Sequence, residues 1–506
     1  MNIDPTVLIP LPVVIPLVAA GLTLVTSRLA WIQRAISGTA LGLVVAVSAA
    51  LVWLTDHGDP MAMVVGNWSV TEGIVLIVDR LSALMLLVST VVTLGVMLFS
   101  AGRGISSDDD EHDGEAPLPI FHPTLLVLSA GVSTTFLTGD LFHMYVGFEM
   151  LLFASFVLLT LGGTQDRVRA GINYVLVNLL SSMVFLTAIG MVYAATGTVN
   201  LARLAQRLPL LSEDTQLALQ LMLLLGFSIK AAVFPMSAWL PDSYPTASAP
   251  VTAVFAGLLT KVGVYAILRT QTLLFPGDRV QTMLLVAAVL TMLVGILGAV
   301  AQDDIKRILS YTLVSHIGYM LFGIALGNQA GVSAAIFYVV HHILVQTTLF
   351  LVTGLVELRA GSTSLKSLGG LIGIAPLTSL LYFIPAMNLS GIPPLSGFLG
   401  KVGLIQAGVE QGSPLAYVVI GGALLTSLIT LYAMARVWAR AFWRDPVEEA
   451  PQAPQKITAG VIIPTALLVA CTMSLTVFAG PLYRMTDAAA LALLERTPYI
   501  TAVLGL

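Results

Sequence analysis

Long apolar stretches separated by short polar ones run along the whole chain. A helix needs ~20 apolar residues to cross the hydrocarbon core of a bilayer, and fourteen stretches are of about that length or longer. The pattern therefore predicts an all-α polytopic membrane protein with about 14 transmembrane helices. The predicted spans lie near residues 5–27, 35–54, 80–101, 121–139, 141–162, 170–195, 216–240, 247–274, 280–301, 306–327, 331–357, 371–410 (broken), 414–440 and 457–480.

Three polar or atypical segments qualify this pattern. Residues 61–79 alternate branched apolar residues with turn residues, which predicts a short extramembrane hairpin. The acidic run 106–115 is too short and too charged to fold alone, and we interpret it as a solvated loop. The first apolar run lacks the basic start and small-residue cleavage site of a signal peptide, so we expect it to stay as the first helix.

Composition agrees with a membrane protein and excludes several functions. Hydrophobic residues make up 57% of the chain and charged residues 10%, with a mean hydropathy of +0.93, so no separate soluble domain is expected. The one cysteine, Cys471, excludes an internal disulfide, a cysteine-ligated zinc site and a cysteine-ligated iron-sulfur cluster. The net charge of −4 says nothing useful about partners, and we expect no nucleic-acid partner.

Three lysines and one glutamate stand out among the charged residues because they lie well inside the apolar stretches of predicted spans. They are Glu149, Lys230, Lys261 and Lys401. A charge near the centre of a bilayer costs roughly 2.5–3.5 kcal/mol even on the mildest insertion scale, so such residues usually line a polar path or face a counter-charge. We interpret all four as functional.

The remaining basic residues predict the orientation of the chain, because Lys and Arg are enriched on the cytoplasmic side. With the N-terminus outside, thirteen basic residues fall in or beside cytoplasmic loops and seven on the opposite side. We therefore expect both termini outside a bacterial plasma membrane. The thirteen are Arg28, Arg34, Arg103, Arg167, Arg169, Lys306, Arg307, Arg359, Lys366, Arg436, Arg440, Arg444 and Lys456; the seven are Arg80, Arg203, Arg207, Arg269, Arg279, Arg484 and Arg496.

Prolines interrupt the seventh and twelfth predicted spans, at Pro235 and at Pro393 and Pro394. A proline removes a backbone donor and clashes with the carbonyl four residues earlier, so the carbonyl of Ala231 at the first break, and those of Leu389 and Ser390 at the second, should be free to bind water or a cation. Exposed backbone at membrane depth survives where it lines a cavity. Ordinary proline kinks, which are common in membrane helices, are the simpler alternative.

The spacing of the two breaks predicts an internal repeat. Pro235 and Pro394 lie 159 residues apart, about five spans with their loops. Five is odd, so the second copy would be inverted in the membrane, as in many transporters. The predicted units are an N-terminal three-helix segment (1–120), two five-helix repeats (121–274 and 280–442), and a C-terminal helix and tail (443–506).

Four ordered motifs resemble the antiporter-like subunits shared by respiratory complex I and the Mrp cation/proton antiporters. Within that family, the segments 258–265 and 301–311 and an ending without a long lateral helix resemble most the D subunits of the Mrp antiporters. The motifs are Gly139-Asp-Leu-Phe-His-Met-Tyr-Val-Gly-Phe-Glu149, Lys230-Ala-Ala-Val-Phe-Pro-Met-Ser-Ala-Trp-Leu-Pro-Asp242, Leu258-Leu-Thr-Lys-Val-Gly-Val-Tyr265 and Gly391-Ile-Pro-Pro-Leu-Ser-Gly-Phe-Leu-Gly-Lys401.

This resemblance implies a proton-translocating subunit of a multi-subunit sodium/proton antiporter. Its proton path would use Glu149 in the fifth span, Lys230 and Lys261 in the seventh and eighth, and Lys401 in the twelfth. The implied partners are subunits A, B, C, E, F and G, with protons and monovalent cations as the transported ions. No cofactor, metal site or covalent chemistry is implied.

The proposed chemistry suits these residue types. Burial favours the neutral form of a lysine, and a nearby carboxylate favours the charged form. At ~4 Å and an effective dielectric of ~20, two such charges interact by about 4 kcal/mol. We therefore expect Glu149 and Lys230 to form a switchable ion pair that controls proton release toward Lys261 and Lys401. A purely structural ion pair is the alternative.

The histidines carry less information. His341 and His342 are candidate relays, but neighbours on a helix point about 100° apart, so the two should not face one path. Relatives often carry a lysine in place of Gln346 and a histidine in place of Ser237, which leaves the relay in doubt at both positions. His143 and His316 are interpreted as structural.

Two further functional classes remain open at this stage. The same kind of subunit serves as a proton-pumping arm of a complex I-like NADH:quinone oxidoreductase or of a membrane-bound hydrogenase. A stand-alone solute carrier or a scaffold would not need four buried charges in this order. Flavin and iron-sulfur absorbance in the native complex separates the oxidoreductase from the antiporter.

Overall fold

Helices account for nearly all of the computed structural model, which describes residues 4–70, 73–103, 118–446 and 457–505. The acidic run 106–115 lies outside these residues. The helices of the first half are α1 (Leu11–Val25), α2 (Ala30–His57), α3 (Arg80–Gly102), α4 (Leu118–Leu137), α5 (Leu141–Thr160), α6 (Gln165–Thr196), α7 (Leu201–Arg207), α8 (Glu213–Ala231), α9 (Trp239–Ser243), α10 (Ala249–Val254) and α11 (Thr260–Leu273). Those of the second half are α12 (Gln281–Val300), α13 (Ile305–Leu326), α14 (Gln329–Ala360), α15 (Leu371–Ile374), α16 (Pro376–Ser390), α17 (Ser396–Gln411), α18 (Pro414–Val437), α19 (Ala459–Val477), α20 (Ala479–Glu495) and α21 (Thr497–Leu504).

Among the described residues, eleven helical segments are long and apolar enough to cross a membrane. They are α2 to α6, α10 with α11, α12, α13, α14, α18 and α19. The other three predicted spans correspond to α1, which has 15 residues, to α8, which ends at a break, and to the interrupted pair α16 and α17. The prediction of a helical polytopic membrane protein is thus confirmed.

The predicted hairpin is present and its second strand is buried. Strand β1 (Met61–Val64) pairs in antiparallel register with β2 (Val75–Val78). The turn Pro5–Leu8 and helix α21 both contact β1, so both ends of the described chain lie at this end of the bundle. We call it the hairpin side.

Helix α14 forms the centre of the fold. Every residue from Gly331 to Val356 is buried, and α10 with α11 is enclosed to the same extent. A helix that is apolar all round belongs inside a protein, whereas α6 and α18 keep apolar faces exposed. The polar side chains of α14 are therefore enclosed by protein.

The first predicted break lies between α8 and α9, at residues 232–238. Ala232 adopts the left-handed conformation with φ 58°, and the amides of Ala232 and Val233 bond to the carbonyls of Ile229 and Ser228. The predicted span 216–240 was too long, because this left-handed residue ends α8 at Ala231.

The second predicted break lies between α16 and α17, at residues 391–395. Gly391 has φ 82°, and the amides of Gly391 and Ile392 bond to the carbonyls of Asn388 and Met387. Both breaks contain a cis X–Pro bond, Phe234-Pro235 and Pro393-Pro394. The backbone hydrogen bonds that close α8 and α16 recur 159 residues apart.

A second set of matching features is 164 residues apart. Helices α6 and α14 each have 32 residues and each end at a left-handed glycine, Gly197 and Gly361. An isolated antiparallel bridge joins Asp140 to Asn200, and another joins Asp304 to Ser364. These correspondences involve the same two segments that the proline spacing pairs.

The C-terminal region differs from the predicted helix and tail. Helix α19 ends at Val477, and residues predicted as tail form α20 and α21. Gly480 and Pro481 suggest a helix end, but proline is tolerated in the first turn of a helix, where its missing donor has no partner anyway. Helix α20 packs against α14, α3 and α11.

Candidate functional site

The four charged residues predicted inside spans lie in the interior or at its edge. Lys230, Lys261 and Lys401 are buried, and Glu149 is partly buried. They lie on α8, α11, α17 and α5, and α6, α13 and α14 supply the polar side chains around them. Among the described residues, no group of three or more His, Cys, Asp or Glu side chains is arranged to hold a metal ion.

Glu149 and Lys230 are each bonded to α6. The Ser182 hydroxyl donates to Glu149 Oε1, and Lys230 Nζ donates to Asn178 Oδ1 at 3.1 Å. Asn178 and Ser182 are four residues apart, so they share one face of α6. Among the described residues no direct salt bridge joins these two charges, and the hydrogen bonds of both go to α6; the switchable pair of Glu149 and Lys230 stays a prediction.

The first break holds Lys230 at the end of α8. Trp239 Nε1 donates to the Ile229 carbonyl at 3.1 Å, and the amide of Phe234 donates to Thr291 Oγ1 at 3.0 Å. The Lys230 ammonium lies 5.7 Å from the centre of the Phe148 ring. Lys230 thus faces α5 and α6 from a helix end whose backbone groups are bonded elsewhere.

Lys261 lies beside a π-helical turn, Phe255–Leu259, which the apolar pattern did not predict. Its ammonium donates to the Ala256 carbonyl at 2.6 Å. The turn packs against α14, since a Cβ on Gly257 would lie 2.2 Å from Thr347 Oγ1. Single π turns inside α-helices occur frequently at functional sites.

Lys401 binds the carbonyls that the second break leaves free. Its ammonium donates to Ser390 O at 3.1 Å and to Leu389 O at 3.3 Å. These are the two carbonyls predicted at this break to be available to water or a cation, and here the lysine itself occupies them. The Tyr319 ring centre lies 5.2 Å from the same nitrogen.

The two adjacent histidines of α14 face different neighbours, as their angular separation predicts. His341 Nδ1 lies 3.0 Å from Ser396 Oγ, and that hydroxyl donates to Asn388 Oδ1 at 3.2 Å. His342 instead lies against His316 on α13, with the two rings tilted and their centres 5.1 Å apart. His341 therefore points toward the second break, and His342 toward α13.

His316 was interpreted as structural from the sequence, but it lies among these groups. Its Nδ1 is 2.8 Å from the Tyr338 hydroxyl, and it is fully buried in the middle of α13. Sequence reasoning also missed Asn178 and Ser182. Polar residues spaced four apart in an apolar span are a usable signal for such a pair, whereas nothing in the local pattern distinguishes His316.

Several buried polar atoms near Lys261 and Lys401 lack a hydrogen-bond partner. Buried polar groups are normally bonded, to protein or to ordered water, and a polar, roomy site favours water. These unpartnered polar atoms therefore fit a hydrated connection between Lys261 and Lys401. The atoms are Thr260 Oγ1, His316 Nε2, His341 Nε2, both ring nitrogens of His342, Gln346 Oε1, Thr347 Oγ1 and Asn388 Nδ2.

The two positions that depart from the resembling proteins are both buried. Gln346 Nε2 donates to the Leu309 carbonyl at 2.7 Å, while its Oε1 has no partner. Ser237 lies in the first break with 7% of its surface exposed. Gln346 thus belongs to the group of side chains with unpartnered polar atoms, although it is not ionisable.

The helices and these side chains define a polytopic helical membrane protein that keeps lysines in its interior. Residues 138–430 match the family described as NADH:quinone oxidoreductase/Mrp antiporter, TM. The match covers more than half of the chain, and the chain belongs to this family. The predicted family is confirmed.

Individual relatives agree along nearly the whole length. The D subunit of the Na(+)/H(+) antiporter of Alkalihalophilus pseudofirmus is 38% identical over 500 residues, covering 98% of this chain and 99% of that protein. A chain of the Mrp complex from Dietzia sp. DQ12-45-1b superposes with a TM-score of 0.90 at 31% identity, covering 99% of this chain and 100% of its own. A chain of respiratory complex I from Thermus thermophilus shares the fold, with a TM-score of 0.81 at 24% identity over 98% of this chain and all of that one.

Proposed function

We propose that this chain is the proton-translocating subunit of a multi-subunit monovalent cation (Na⁺)/proton antiporter. The observation that carries the proposal is the set of three buried lysines, each bonded to a neutral acceptor, in a chain 38% identical to an antiporter D subunit. An enclosed ammonium bonded to a neutral acceptor releases its proton more readily than one bonded to a carboxylate. The chain acts as a transporter and performs no covalent chemistry.

The proton path follows the contacts described above. Glu149 and Lys230 form the first station through Ser182 and Asn178, and Lys261 is the next. The unpartnered groups on α13, α14 and α16, with His341 and His342 among them, support a water-mediated link from Lys261 to Lys401. The two breaks lie beside Lys230 and Lys401 and give each ammonium room to change partners.

We further infer fourteen membrane spans that include two inverted five-helix repeats. The repeats comprise residues 121–274 and 280–442, flanked by 1–120 and 443–506. The matching bridges, equal helix lengths and break geometry support this arrangement, and an odd number of helices inverts the second copy.

The orientation follows from the charges. Arg203, Arg269 and Arg496 lie toward the hairpin side, and most other basic residues lie toward the opposite end, so we propose that the hairpin side faces outward. The chain then spans a bacterial plasma membrane with both termini outside.

The partners are the other Mrp subunits, A, B, C, E, F and G. Glu149 is the one residue of the proposed path that is partly exposed, and it lies on the same face of α5 as the exposed side chains of Val146 and Phe153. A neighbouring subunit against this face would cover Glu149 and bring the path into contact with its own.

Sodium-driven proton movement by the whole complex tests this function. Membrane vesicles from a host without sodium/proton antiporters, carrying the full set of subunits, should lose a respiration-generated pH gradient when sodium chloride is added. Vesicles lacking this chain should keep it. A purified complex with flavin and iron-sulfur absorbance and no sodium response would support the oxidoreductase arm instead.

Asn178→Leu tests the connection that α6 makes between Glu149 and Lys230 through Ser182 and Asn178. The change removes the acceptor of Lys230, and a charge-assisted hydrogen bond contributes about 1.5–3 kcal/mol, so the antiport rate should fall by about tenfold or more. The control is Thr187→Val, because Thr187 is on the same helix but bonds to its own backbone at the exposed face. Equal rates in the two variants would exclude a role for this connection.

A further inference from the structure

A buried ion pair that the proposed path does not use lies at the hairpin side. Arg269 of α11 bonds to both oxygens of Asp79, at 2.6 and 2.9 Å. The side chains are 3% and 10% exposed. Asp79 also caps α3 by accepting from the Ser82 amide at 2.9 Å. The sequence prediction counted Arg269 among the loop residues, and the structure instead encloses it.

The Arg269 guanidinium is enclosed by two tyrosines. The ring centres of Tyr265 and Tyr499 lie 5.4 and 5.1 Å from its central carbon. Arg269 also donates to the Tyr265 hydroxyl at 3.2 Å, and that hydroxyl donates to the Phe136 carbonyl at 2.9 Å. One cation therefore joins α3, α11, the end of α4 and the C-terminal helix α21.

The pair lies on the same helix face as Lys261. Lys261, Tyr265 and Arg269 follow one another at intervals of four residues, so they fall within about 80° of the helix surface, and Arg269 lies about 12 Å along the axis from Lys261. All three are buried. Going from Lys261 toward the hairpin side, this face meets Tyr265 and then the ion pair.

The second half of the chain has a related arginine, which forms no ion pair with a carboxylate among the residues that the structure describes. Arg436, near the end of α18, donates to the carbonyls of Val300 and Gln302. Val300 lies 164 residues after Phe136, whose carbonyl accepts from Tyr265. The ends of α4 and α12 therefore both accept a hydrogen bond from a polar side chain, Tyr265 in the first half and Arg436 in the second. The first half adds Asp79, which comes from the N-terminal segment.

The charges of the pair are fixed. Burial by itself would raise the pKa of Asp79, but the charge and hydrogen bonds of Arg269 outweigh it and hold that pKa below its usual value. An arginine side chain does not lose its proton in a protein. Neither group can therefore pass a proton on at neutral pH.

We propose that the Asp79–Arg269 pair is an electrostatic gate that closes the protein interior between Lys261 and the hairpin side, along the buried face of α11 that carries Lys261, Tyr265 and Arg269. The inference rests on the proposed function, since a gate matters where Lys261 carries protons. A fixed guanidinium that lines a narrow passage is an electrostatic barrier to protons and cations. The Tyr265 hydroxyl accepts from Arg269, which keeps its proton, and donates to a backbone carbonyl, so its hydrogen bonds lead to no group that exchanges protons.

Removing both charges together is the appropriate test. A single change leaves an unpaired buried charge, which is strongly destabilising, whereas replacing both members of a buried pair is often tolerated. Asp79→Asn with Arg269→Gln keeps polar groups at both positions, and asparagine remains a good helix cap. The control is Arg279→Gln with Glu213→Gln, which removes an exposed pair at the same side of the bundle.

The assay is passive proton flux into liposomes that contain the whole purified complex, with a pH-sensitive dye inside and no sodium. We expect the double variant to leak protons several-fold faster than the wild type, and the control to match the wild type. Adding Lys261→Ala to the double variant should return the flux to the wild-type level.

The outcomes are distinguishable. A double variant that assembles and seals like the wild type overturns the gate. A leak that persists in the absence of Lys261 shows that the ion pair does not control access to Lys261. If the double variant does not assemble, Arg269→Lys decides: it keeps the charge but not the two-pronged bond, so an electrostatic gate should still seal, and a leak would overturn the gate in favour of a structural clamp. Because the leak is measured without sodium, it is independent of whether the complex performs antiport.

Discussion

Vesicles carrying Lys230→Ala should show no sodium-dependent collapse of the pH gradient, while the complex still assembles. Lys230 is the one ionisable side chain on α8 inside the bundle, and it supplies the step between the Glu149 side and Lys261. Without it, protons must cross the first break through water alone. A fall of at least about a hundredfold corresponds to ~2.7 kcal/mol in the barrier.

The fold should tolerate this change. Lys230 makes one hydrogen bond, to Asn178, and in the variant the Asn178 side-chain oxygen can accept from water instead. Alanine also fits the last turn of α8, because it is the best helix former. The loss of activity should therefore appear at a normal level of assembled complex, as measured by co-purification of the partner subunits.

Two other lysines provide controls for Lys230→Ala. Lys366 is largely exposed and lies 3.7 Å from Asp303, so its replacement should leave antiport unchanged. Lys306 is buried but paired with Glu357 at 2.8 Å, and its loss should affect assembly rather than rate. Wild-type antiport in assembled Lys230→Ala would exclude Lys230 from the path.

Gly391→Ala should reduce antiport nearly as much, although it removes no ionisable group. Gly391 has φ 82°, and a Cβ there would lie 3.0 Å from Lys401 Cδ and 3.1 Å from its ammonium nitrogen. The left-handed conformation costs a non-glycine residue roughly 1–2 kcal/mol. Relief of the clash also moves the ammonium off the carbonyls of Leu389 and Ser390.

A matched glycine separates this contact from a general effect of alanine. Gly421 lies in α18, and no atom lies within 4 Å of the position that a Cβ would take there, so Gly421→Ala should be neutral or slightly stabilising. Both variants are compared by antiport in vesicles and by the thermal unfolding midpoint of the complex. Normal antiport with Gly391→Ala would mean that the bonds of Lys401 to the second break are not needed for transport.

Hydropathy predicted most of the helices and all four intramembrane charges, because a bilayer imposes a simple rule on every span. It failed where tertiary contacts decide. The run 247–274 has the pattern of a single span, and nothing in it indicates the π turn beside Lys261. Helix α20 carries Arg484 and Asp487 in a less apolar stretch, so it was predicted as tail.

The contacts of the charged residues could not be predicted from the chain alone. Opposite charges in neighbouring spans suggested a direct pair, but the hydrogen bonds that Glu149 and Lys230 make to a third helix, α6, are known only from the packing. The carbonyls at the second break were predicted to be free, and proline chemistry explains that correctly. Their occupation by Lys401 depends on the path of the chain after the break.

Helix α6 is a mechanical link between the two ends of the first station. Asn178 and Ser182 lie on consecutive turns of one 32-residue helix, so a slide or rotation of that helix changes the bonds to Lys230 and Glu149 together. The opposite face of α6 exposes Leu176, Leu180 and Met183. Pressure from a neighbouring protein on that outer face would therefore be felt at both charges at once, without any movement of α5 or α8.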